Sequence, residues 1–362
     1  MTQYQIINTC STSVLTNAVQ NNNSLRDLLV KWGNAKNEAE IPKEEYSLIV
    51  KHWETQIDLW TNYDTIVAKQ KSAELNSLMT WQELRNVNTC QCFCYLIHTD
   101  TVLGQMSAQL VEEWMKKQGF QGVTLVPILN LSTATIDSFE AGLSYFAKWA
   151  FETVIKSKDL RYIFNIAGGF KSVSGFAQLL GQFLADETIY IFEGGNNILS
   201  IPKLPIEWKE IASIQEFFDD YRRVSLGLPL VSYEHLNPLW VKNGIFSPWG
   251  QLAWENAKQT LYEREVYSFV CDDVKEGTTF RKSLEGLDKV RIKYINERLD
   301  DLFTYMISGR QSNIKRLDYK KLKGKHECSH ECDAWSDQDA KRLFCNERDG
   351  KIVVEFLGNA LH

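Results

Sequence analysis

The sequence lacks any long hydrophobic run. No segment approaches the ~18 uninterrupted apolar residues that a membrane-spanning helix requires. The N-terminal segment MTQYQIINTCSTS contains neither a basic stretch nor an apolar stretch of signal-peptide length. We therefore expect a cytoplasmic protein without a membrane partner.

Cysteine is too sparse and too unevenly spaced to build a disulfide framework. The chain has 8 cysteines in 362 residues, which is typical of reduced thiols. Hydrophobic residues make up 44% and charged residues 24% of the chain, which excludes wholesale disorder and a fibrous protein. At ~150 residues per domain, the length predicts two or three domains, each long enough to bury a core.

Positive charge is scarce in most of the chain and concentrated near its end. Residues 281–362 contain 17 Lys and Arg against 14 Asp and Glu, whereas residues 1–280 contain 23 against 32. Within Gly309–Lys325 there is one anion, Asp318, and there are seven cations: Arg310, Lys315, Arg316, Lys320, Lys321, Lys323 and Lys325. Such a block indicates either contact with nucleic acid or a solvated face, and both interpretations stay open.

The first ~205 residues alternate short apolar runs with helical patterns, which predicts an α/β fold with a doubly wound parallel sheet. A helical insertion, Ser24–Arg85, follows the first predicted strand. The predicted strands are Tyr4–Asn8, Cys92–Ile97, Val123–Pro127, Tyr162–Asn165 and Thr188–Phe192. The predicted helices between them are Val102–Lys117, Ile136–Ile155 and Ser172–Leu184.

The rest of the chain predicts a second architecture. The segment Gly194–Pro205 closes the first sheet with a hairpin, and residues 206–279 form a small helical connector. Residues 280–362 predict an α+β domain with a long amphipathic helix, Asp288–Met306, followed by the basic loop and three strands. These strands are His326–Trp335, Lys341–Glu347 and Lys351–Leu357, the last two joined by an Asp349-Gly350 turn.

Three loops at the carboxyl ends of predicted strands are rich in small hydrogen-bond donors. They are Asn8–Ser13, Leu129–Thr135 and Asn165–Ser172. In an open parallel sheet, such loops meet a ligand at the N-termini of helices. In the third loop, Gly168 and Gly169 allow close approach of the backbone and Lys171 adds a cation.

The pattern of these loops suits phosphate but matches neither standard nucleotide fingerprint. The spacing GxxxxGK[ST] of a Walker loop is missing, and so is GxGxxG. Ser172 is predicted to cap the helix that follows the glycine pair. A glycine pair alone is more typical of a tight turn, but three such loops at one sheet edge favour a polyanionic ligand.

These residues resemble those of a known family. The run Tyr162–Pro205, with the loop after the first strand and the stretch Leu131–Leu143, resembles the CARF domains of CRISPR-associated proteins. The resemblance implies a Rossmann-like domain at 1–205, a homodimer, and a cyclic oligoadenylate activator, predicted to be cyclic tetra-adenylate, with no other cofactor. The residues that match the ligand-contacting loops of the family are Ser11, Thr12, Ser13, Gly168, Gly169 and Lys171. The predicted ligand-binding set also includes Asn130, Ser132, Thr133 and Ser172 of the same three loops. Slow cleavage of the ring, supported by Ser11 and Lys171, stays open.

The C-terminal segment Phe280–Asn359 resembles RelE-type toxins, which cleave messenger RNA on the ribosome. The resemblance is in KRLDYKKLKG, KRLFC and DGKIVVEFLG. It implies a CRISPR-associated mRNA interferase in which the ribosome, messenger RNA and the ribosomal stalk are partners. Arg342 matches the phosphate-clamping arginine of the family, and Lys323, Lys325 and His326 are candidates for phosphate contact or proton transfer.

Two alternatives limit this interpretation. Asp333 and Trp335 stand where many RelE-type toxins carry lysines, which favours a ligand-responsive binding module without chemistry, and Arg342 is then a surface cation paired with Asp337 or Asp339. The alternation His326, Cys328, His330 and Cys332 suggests zinc. Four residues on one strand face span ~20 Å, however, whereas zinc needs each ligand within ~2.3 Å, so no metal site is expected.

Overall fold

Two compact units, Met1–Glu207 and Trp208–His362, make up the chain. The computed structural model describes residues 2–19, 22–131, 135–154, 157, 159–169, 171–192, 197–205, 211–324, 326–337 and 339–360. Among them, no helix combines the length and the apolar character needed to cross a membrane.

The first unit is built around a six-stranded, mostly parallel sheet in the order β3-β2-β1-β4-β5-β6. Neighbouring strands are parallel except β6, which runs antiparallel to β5. The order reverses between β1 and β4, so the crevice outside their carboxyl ends lies at a topological switch point. The strands are β1 Gln3–Thr9, β2 Cys92–Thr99, β3 Gly122–Ile128, β4 Leu160–Asn165, β5 Glu187–Ile191 and β6 Ile198–Pro202.

Helices connect these strands, and five of the described helices lie between β1 and β2, the last four of them in the predicted insertion. Ser72 caps the last insertion helix, since its Oγ accepts from the amide of Leu75 at 3.1 Å. The helices are α1 Ser13–Thr16, α2 Asn23–Lys31, α3 Lys43–Trp60, α4 Thr65–Lys71, α5 Ala73–Arg85, α6 Val102–Lys117, α7 Ile136–Thr153 and α8 Lys171–Leu184, with short 3-10 turns at Glu38–Glu40 and Thr89–Gln91.

The predictions for the first half are confirmed at the level of a mixed α/β unit. Each predicted strand and helix is present, with ends that coincide with the prediction or differ from it by at most two residues. The helical insertion and the antiparallel closing strand are present, while the turn of the predicted hairpin includes residues 193–196, which lie outside the described residues.

The second unit contains its own five-stranded sheet, in the order β10-β11-β12-β13-β9, and a separate two-stranded ribbon of β7 and β8. Its helices are α9 Ile211–Glu216, α10 Phe218–Ser225, α11 Pro248–Leu261, α12 Phe280–Ser283 and α13 Lys289–Ile307. Its strands are β7 Val241–Lys242, β8 Ile245–Phe246, β9 Val274–Glu276, β10 Lys320–Lys321, β11 His330–Trp335, β12 Lys341–Arg348 and β13 Lys351–Asn359.

Helix α13 covers one face of the second sheet, as its amphipathic pattern predicts. Asp288 caps the helix by accepting from the amide of Arg291 at 2.9 Å. Four residues of the predicted stripe are fully buried: Ile295, Leu299, Leu302 and Phe303. They pack in one cluster with apolar residues of β11, β12 and β13. The Asp349-Gly350 turn is confirmed, because both residues have positive φ (52° and 77°), as a tight hairpin requires.

Three details of the C-terminal prediction are corrected. The first strand of the meander begins at His330 rather than His326. The basic loop contains a short strand, β10, which pairs antiparallel with β11. The meander also gains β9, which comes from the predicted connector and runs parallel to β13. The division of this unit into a connector at 206–279 and a domain at 280–362 stays a prediction.

Candidate functional site

The structure joins the loops after β1 and β4. The hydroxyl of Thr9, the last residue of β1, donates to the carbonyl of Gly168 at 2.6 Å. Thr9 and Gly168 are both buried. The two predicted ligand loops that flank the switch point are therefore directly bonded to each other.

Gly168 and Gly169 are required for this close contact. A Cβ on Gly168 would lie 2.2 Å from the carbonyl oxygen of Thr9, a distance that no side chain can adopt. Gly169 has a φ of +86°, which glycine adopts without strain. At Gly168, the missing side chain thus makes room for strand β1, which is a role that the sequence prediction did not assign to it.

The exposed residues of this loop lie at the start of α8. Lys171 is the first residue of the helix and Ser172 the second, and both are exposed. Ser172 therefore lies inside the first turn rather than at the predicted cap position. Lys171 stays available as a cation at the carboxyl edge of the sheet.

The segment Ser11–Ser13 forms a tight turn into α1. The hydroxyl oxygen of Ser11 accepts from the amide of Ser13 at 3.0 Å, and the amide of Ser11 donates to Oε1 of Glu74 at 3.1 Å. Thr12 precedes α1 without a side-chain cap. All three residues of the segment are half-buried, so a ligand at the sheet edge can reach them.

The third loop stands apart from these two. Asn130 is exposed, and its side-chain oxygen accepts from Lys36 at 3.0 Å while its amide donates to Asp100 at 2.8 Å. Its strand, β3, is three positions from β4 in the sheet, or ~14 Å at ~4.8 Å per strand. Two predicted ligand residues of this loop, Ser132 and Thr133, lie outside the described residues.

Three buried polar residues that the sequence did not predict lie below the loops. Asn165 donates from Nδ2 to the side chain of Asn8 at 2.8 Å and to the carbonyl of Glu74 at 2.7 Å. Burial raises the pKa of Glu74, and hydrogen bonds from its own amide and from Ser11 oppose this effect. The asparagines at the ends of two strands were a usable signal in the sequence, whereas nothing local to Glu74 marked it.

The basic segment of the second unit is held by two carboxylates. Arg316 makes two hydrogen bonds to Asp301 of α13, at 2.9 and 2.7 Å, and Arg310 donates to Glu347 of β12 at 2.8 Å. Lys320 pairs with Asp318 at 2.5 Å. Three exposed lysines of the segment have no ion pair within the described part of the chain: Lys315, Lys321 and Lys323. They form the candidate contact surface for a polyanion.

Arg342 lies on the middle strand, β12, but it is paired. It opposes Asp333 of β11 in the antiparallel register and forms an ion pair with it. Each of the two side chains is only 17% exposed. The partners that the surface-cation interpretation named are occupied elsewhere: Asp337 pairs with Arg291, and Asp339 lies 3.9 Å from Lys341.

Two of the other predicted catalytic residues lie in the turn before β11. Lys323 and His326 are both exposed, and the Nε2 atom of His326 lies 2.8 Å from the carbonyl oxygen of Lys323. Lys325 lies outside the described residues. Neither Lys323 nor His326 makes a hydrogen bond or an ion pair with Arg342 within the described residues, so the joint action of these residues stays a prediction.

A second titratable cluster was not predicted. The rings of Tyr319 and His330 stack with centroids 5.2 Å apart, and the Tyr319 hydroxyl donates to Glu347 at 3.1 Å. Partial burial raises the pKa of Glu347, but hydrogen bonds from Arg310 and Tyr319 outweigh this effect and lower the pKa overall. His330 opposes Cys345 in the register, three residues from Arg342, so the cluster and Arg342 lie on opposite faces of the sheet.

The alternating residues His326, Cys328, His330 and Cys332 are not arranged as a metal site among the described residues. Cys328 and Cys332 are buried, whereas His326 is exposed and precedes the strand. Across the part of the chain that the structure describes, no group of three or more His, Cys, Asp or Glu side chains has an arrangement that could hold a metal ion.

Comparison with known families adds one match. Residues 69–204 match the family model described as CRISPR-associated protein (Cas_APE2256). The match indicates a CRISPR-associated protein family. We call residues 69–204 the Cas segment.

The Cas segment includes one half of the candidate ligand site. It contains α5 with Glu74 and the loop Asn165–Ser172 after β4, but it does not contain β1 or Ser11–Ser13. The second unit lies entirely outside it. The similarity to a CRISPR-associated family therefore concerns residues 69–204 of the first unit, and it suggests a role in CRISPR defence.

Proposed function

We propose that this protein is a cyclic-oligoadenylate-activated endoribonuclease of CRISPR defence that cleaves messenger RNA on the ribosome and inhibits translation. The observation that carries the proposal is the hydrogen bond from Thr9 to Gly168, which joins the loop of Ser11–Ser13 to the loop of Gly168, Gly169 and Lys171 at the switch point of the first sheet. Strands β2 to β6 of this sheet lie in the Cas segment. In the proposed homodimer, an isologous site presents these residues twice to a two-fold ligand.

The chemistry of the ligand fits this edge of the sheet. A cyclic oligoadenylate carries one phosphate per nucleotide, and backbone amides, hydroxyls and an ammonium group are its natural partners. Lys171 provides the cation, and the N-terminus of α8 adds its dipole. Gating follows if the ligand binds the active state of the dimer more tightly than the resting state.

The proposed reaction in the second unit needs no metal. A general base takes the proton of the messenger's 2′-hydroxyl while its oxygen attacks the adjacent phosphorus. The bond to the 5′-oxygen breaks and that oxygen takes up a proton, which gives a 2′,3′-cyclic phosphate and a 5′-hydroxyl. Fixed cations stabilise the added negative charge of the transition state. Arg342 is proposed as the phosphate clamp, with Lys323, Lys325 and His326 near the departing or attacking oxygen.

Two measurements test the proposal. In calorimetric titration with cyclic tri-, tetra- and hexa-adenylate, we expect binding of cyclic tetra-adenylate at one ring per two chains. In a translation extract, we expect cleavage of translated messenger only when this ligand is present, and loss of cleavage in Arg342→Ala. Cleavage without ligand would contradict the gating, and undiminished cleavage by the variant would remove Arg342 from the site.

The pairing of Arg342 with Asp333 favours a second candidate function. In that arrangement the arginine is neutralised before any phosphate arrives, as in a binding module that holds RNA or protein through its exposed lysines without cleaving. The translation extract distinguishes the two functions, because a binding module leaves the messenger intact at every ligand concentration. Ring cleavage by the first unit is a separate outcome, measured by linear products of the ligand.

A further inference from the structure

A carboxyl group is buried directly below the Ser11 segment. Glu74, the second residue of α5, is only 1% exposed. Its Oε1 atom accepts from the amide of Ser11 at 3.1 Å, and its Oε2 atom has no hydrogen-bond partner among the described residues. A buried polar atom without a partner is unfavourable unless it serves the site around it.

The same residue contacts the other ligand loop. A Cβ on Gly168 would lie 3.1 Å from the carboxyl carbon of Glu74. The backbone carbonyl of Glu74 accepts from Asn165 at the end of β4. The start of α5 is thus bonded to the ends of β1 and β4, the two strands that flank the switch point.

Hydrogen bonds from its own amide, from the Ser11 amide and from the Ser72 side chain favour the charged form of this carboxyl group, but burial outweighs them. On the exit from β1 the titratable neighbour is Cys10, whose pKa is raised by burial and by Glu74. The contact from β4 is the neutral Asn165, and the cations at the ends of the neighbouring helices, Lys71 of α4 and Lys171 of α8, are exposed. Burial favours the neutral form of Glu74, and a negative charge here opposes any anion bound above it.

We propose that Glu74 is a positioning residue of the ligand site, which holds the Ser11–Ser13 segment in its binding conformation and whose negative charge opposes a bound anion. The inference rests on the proposed function, because it requires a nucleotide to bind at this edge. It separates two contributions of one side chain, the hydrogen-bond acceptor and the charge.

Two substitutions separate these contributions. Glu74→Gln keeps an oxygen for the Ser11 amide and removes the charge, so we expect it to bind cyclic tetra-adenylate at least as tightly as the unsubstituted protein. Glu74→Ala leaves the Ser11 amide without a partner, so we expect affinity to fall about tenfold. Ser77→Ala is the matched control, because Ser77 is equally buried one turn along α5 and its hydroxyl has no hydrogen-bond partner in the described residues.

The pH profile provides a readout that a purely structural role does not change. Burial raises the pKa of Glu74 above the usual range of a glutamate, so the neutral form becomes populated as the pH falls through that raised value. Affinity of the unsubstituted protein is then expected to increase between about pH 7.5 and about pH 5. The Gln variant lacks the titrating group, so its profile is expected to be flatter.

The experiment is calorimetric titration of the full chain with cyclic tetra-, tri- and hexa-adenylate at both pH values, with circular dichroism to check folding. The proposal is supported if Ala binds weakly, Gln binds tightly with a flattened profile, and Ser77→Ala matches the unsubstituted protein. It is overturned if folded Ala binds normally, or if the Gln variant keeps the full pH dependence. If Glu74→Ala fails to fold, the pH dependence of affinity in Glu74→Gln still tests the proposal. If the unsubstituted protein binds none of the rings, the proposed function fails and this inference fails with it.

Discussion

The ion pair between Arg342 and Asp333 changes how the predicted phosphate clamp can act. The sequence places an arginine where a phosphate clamp is expected, and the structure adds a carboxylate directly opposite on β11. A phosphate has to compete with that carboxylate. The pair therefore controls how much positive charge the face presents.

Asp333→Asn tests this competition. Removing the negative charge while keeping the shape is expected to strengthen RNA binding by about threefold to tenfold, measured by fluorescence anisotropy with a labelled single strand. Asp339→Asn, at an exposed carboxylate on the turn before β12, is the control and is expected to change little. If Asp333→Asn instead weakens binding as Arg342→Ala does, the carboxylate orients the arginine rather than competing with its ligand.

Gly168 gives the sharpest steric prediction. An added methyl group would lie 2.2 Å from the Thr9 carbonyl, so Gly168→Ala is expected to separate the β1 and β4 loops and to destabilise the first unit by about 1–3 kcal/mol. Thermal unfolding measures the loss, and titration with cyclic oligoadenylate measures the accompanying loss of affinity.

Gly175 is the matched control for this prediction. It lies in α8, where an added Cβ meets nothing within 4 Å. Alanine there is expected to leave ligand binding intact and to stabilise the helix by about 0.5–1 kcal/mol. Equal losses in both variants would show that the contact with Thr9 does not explain the requirement for glycine.

Among the elements, the basic segment combines fixed anchors with exposed cations. Asp301 and Glu347 each pair with one arginine of the basic segment, Arg316 and Arg310 respectively, which limits the positions that the segment can adopt. Preorganised cations bind an anion with less loss of entropy than freely moving ones. The composition indicated charge, but the anchors could not be predicted because Asp301 and Glu347 come from a different helix and a different strand.

Substitution of Lys315, Lys321 and Lys323 by alanine tests this surface. If each contacts one phosphate of a single strand, the slope of log K against log salt concentration is expected to decrease in magnitude by about 2. Exposed lysines elsewhere in the unit, Lys242, Lys282 and Lys289, provide a control triple with the same change in net charge. An equal decrease in both triples would mean that net charge, rather than this segment, determines the binding.

Most elements could be predicted from the sequence because each depends on a local pattern. The α6 and α13 spans follow from apolar periodicity and from the caps Thr101 and Asp288, whose side chains accept amides of the first turn. The start of β11 could not be predicted from the sequence. Residues His326–Ser329 are strand-like in type, but they pair with no strand among the described residues. Strand β9 was not predicted because its three residues are too few to show an alternating pattern. It is a strand because it pairs with β13.

At the scale of the whole molecule, each unit has a core of its own. In the second unit, the fully buried Arg222 of α10 donates to Asp300 of α13 at 2.8 Å and to the carbonyl of Ser268 at 2.9 Å. Tyr262, which follows the last residue of α11, donates to the same aspartate. This network joins helices of the predicted connector to the helix of the predicted catalytic domain.

Arg222→Ala is expected to leave Asp300 without its buried partner and to destabilise the second unit by about 3–5 kcal/mol. Differential scanning calorimetry of the full chain should show one transition at lower temperature, while ligand binding by the first unit is retained. Arg264→Ala, at an exposed arginine after α11, is the control. An unchanged thermogram for Arg222→Ala would contradict the assigned role of the network.

The sequence by itself determined the class of each unit, the placement of most strands and helices, the glycine pair after β4 and the basic segment, because these features depend on residues close together in the chain. Only the tertiary structure decided that Glu74 lies below Ser11, that Asp333 neutralises Arg342, and that Tyr319, His330 and Glu347 share a face that Arg342 does not. These contacts join residues that are up to 63 positions apart. Such pairings depend on strand register and helix packing, which a local pattern does not encode.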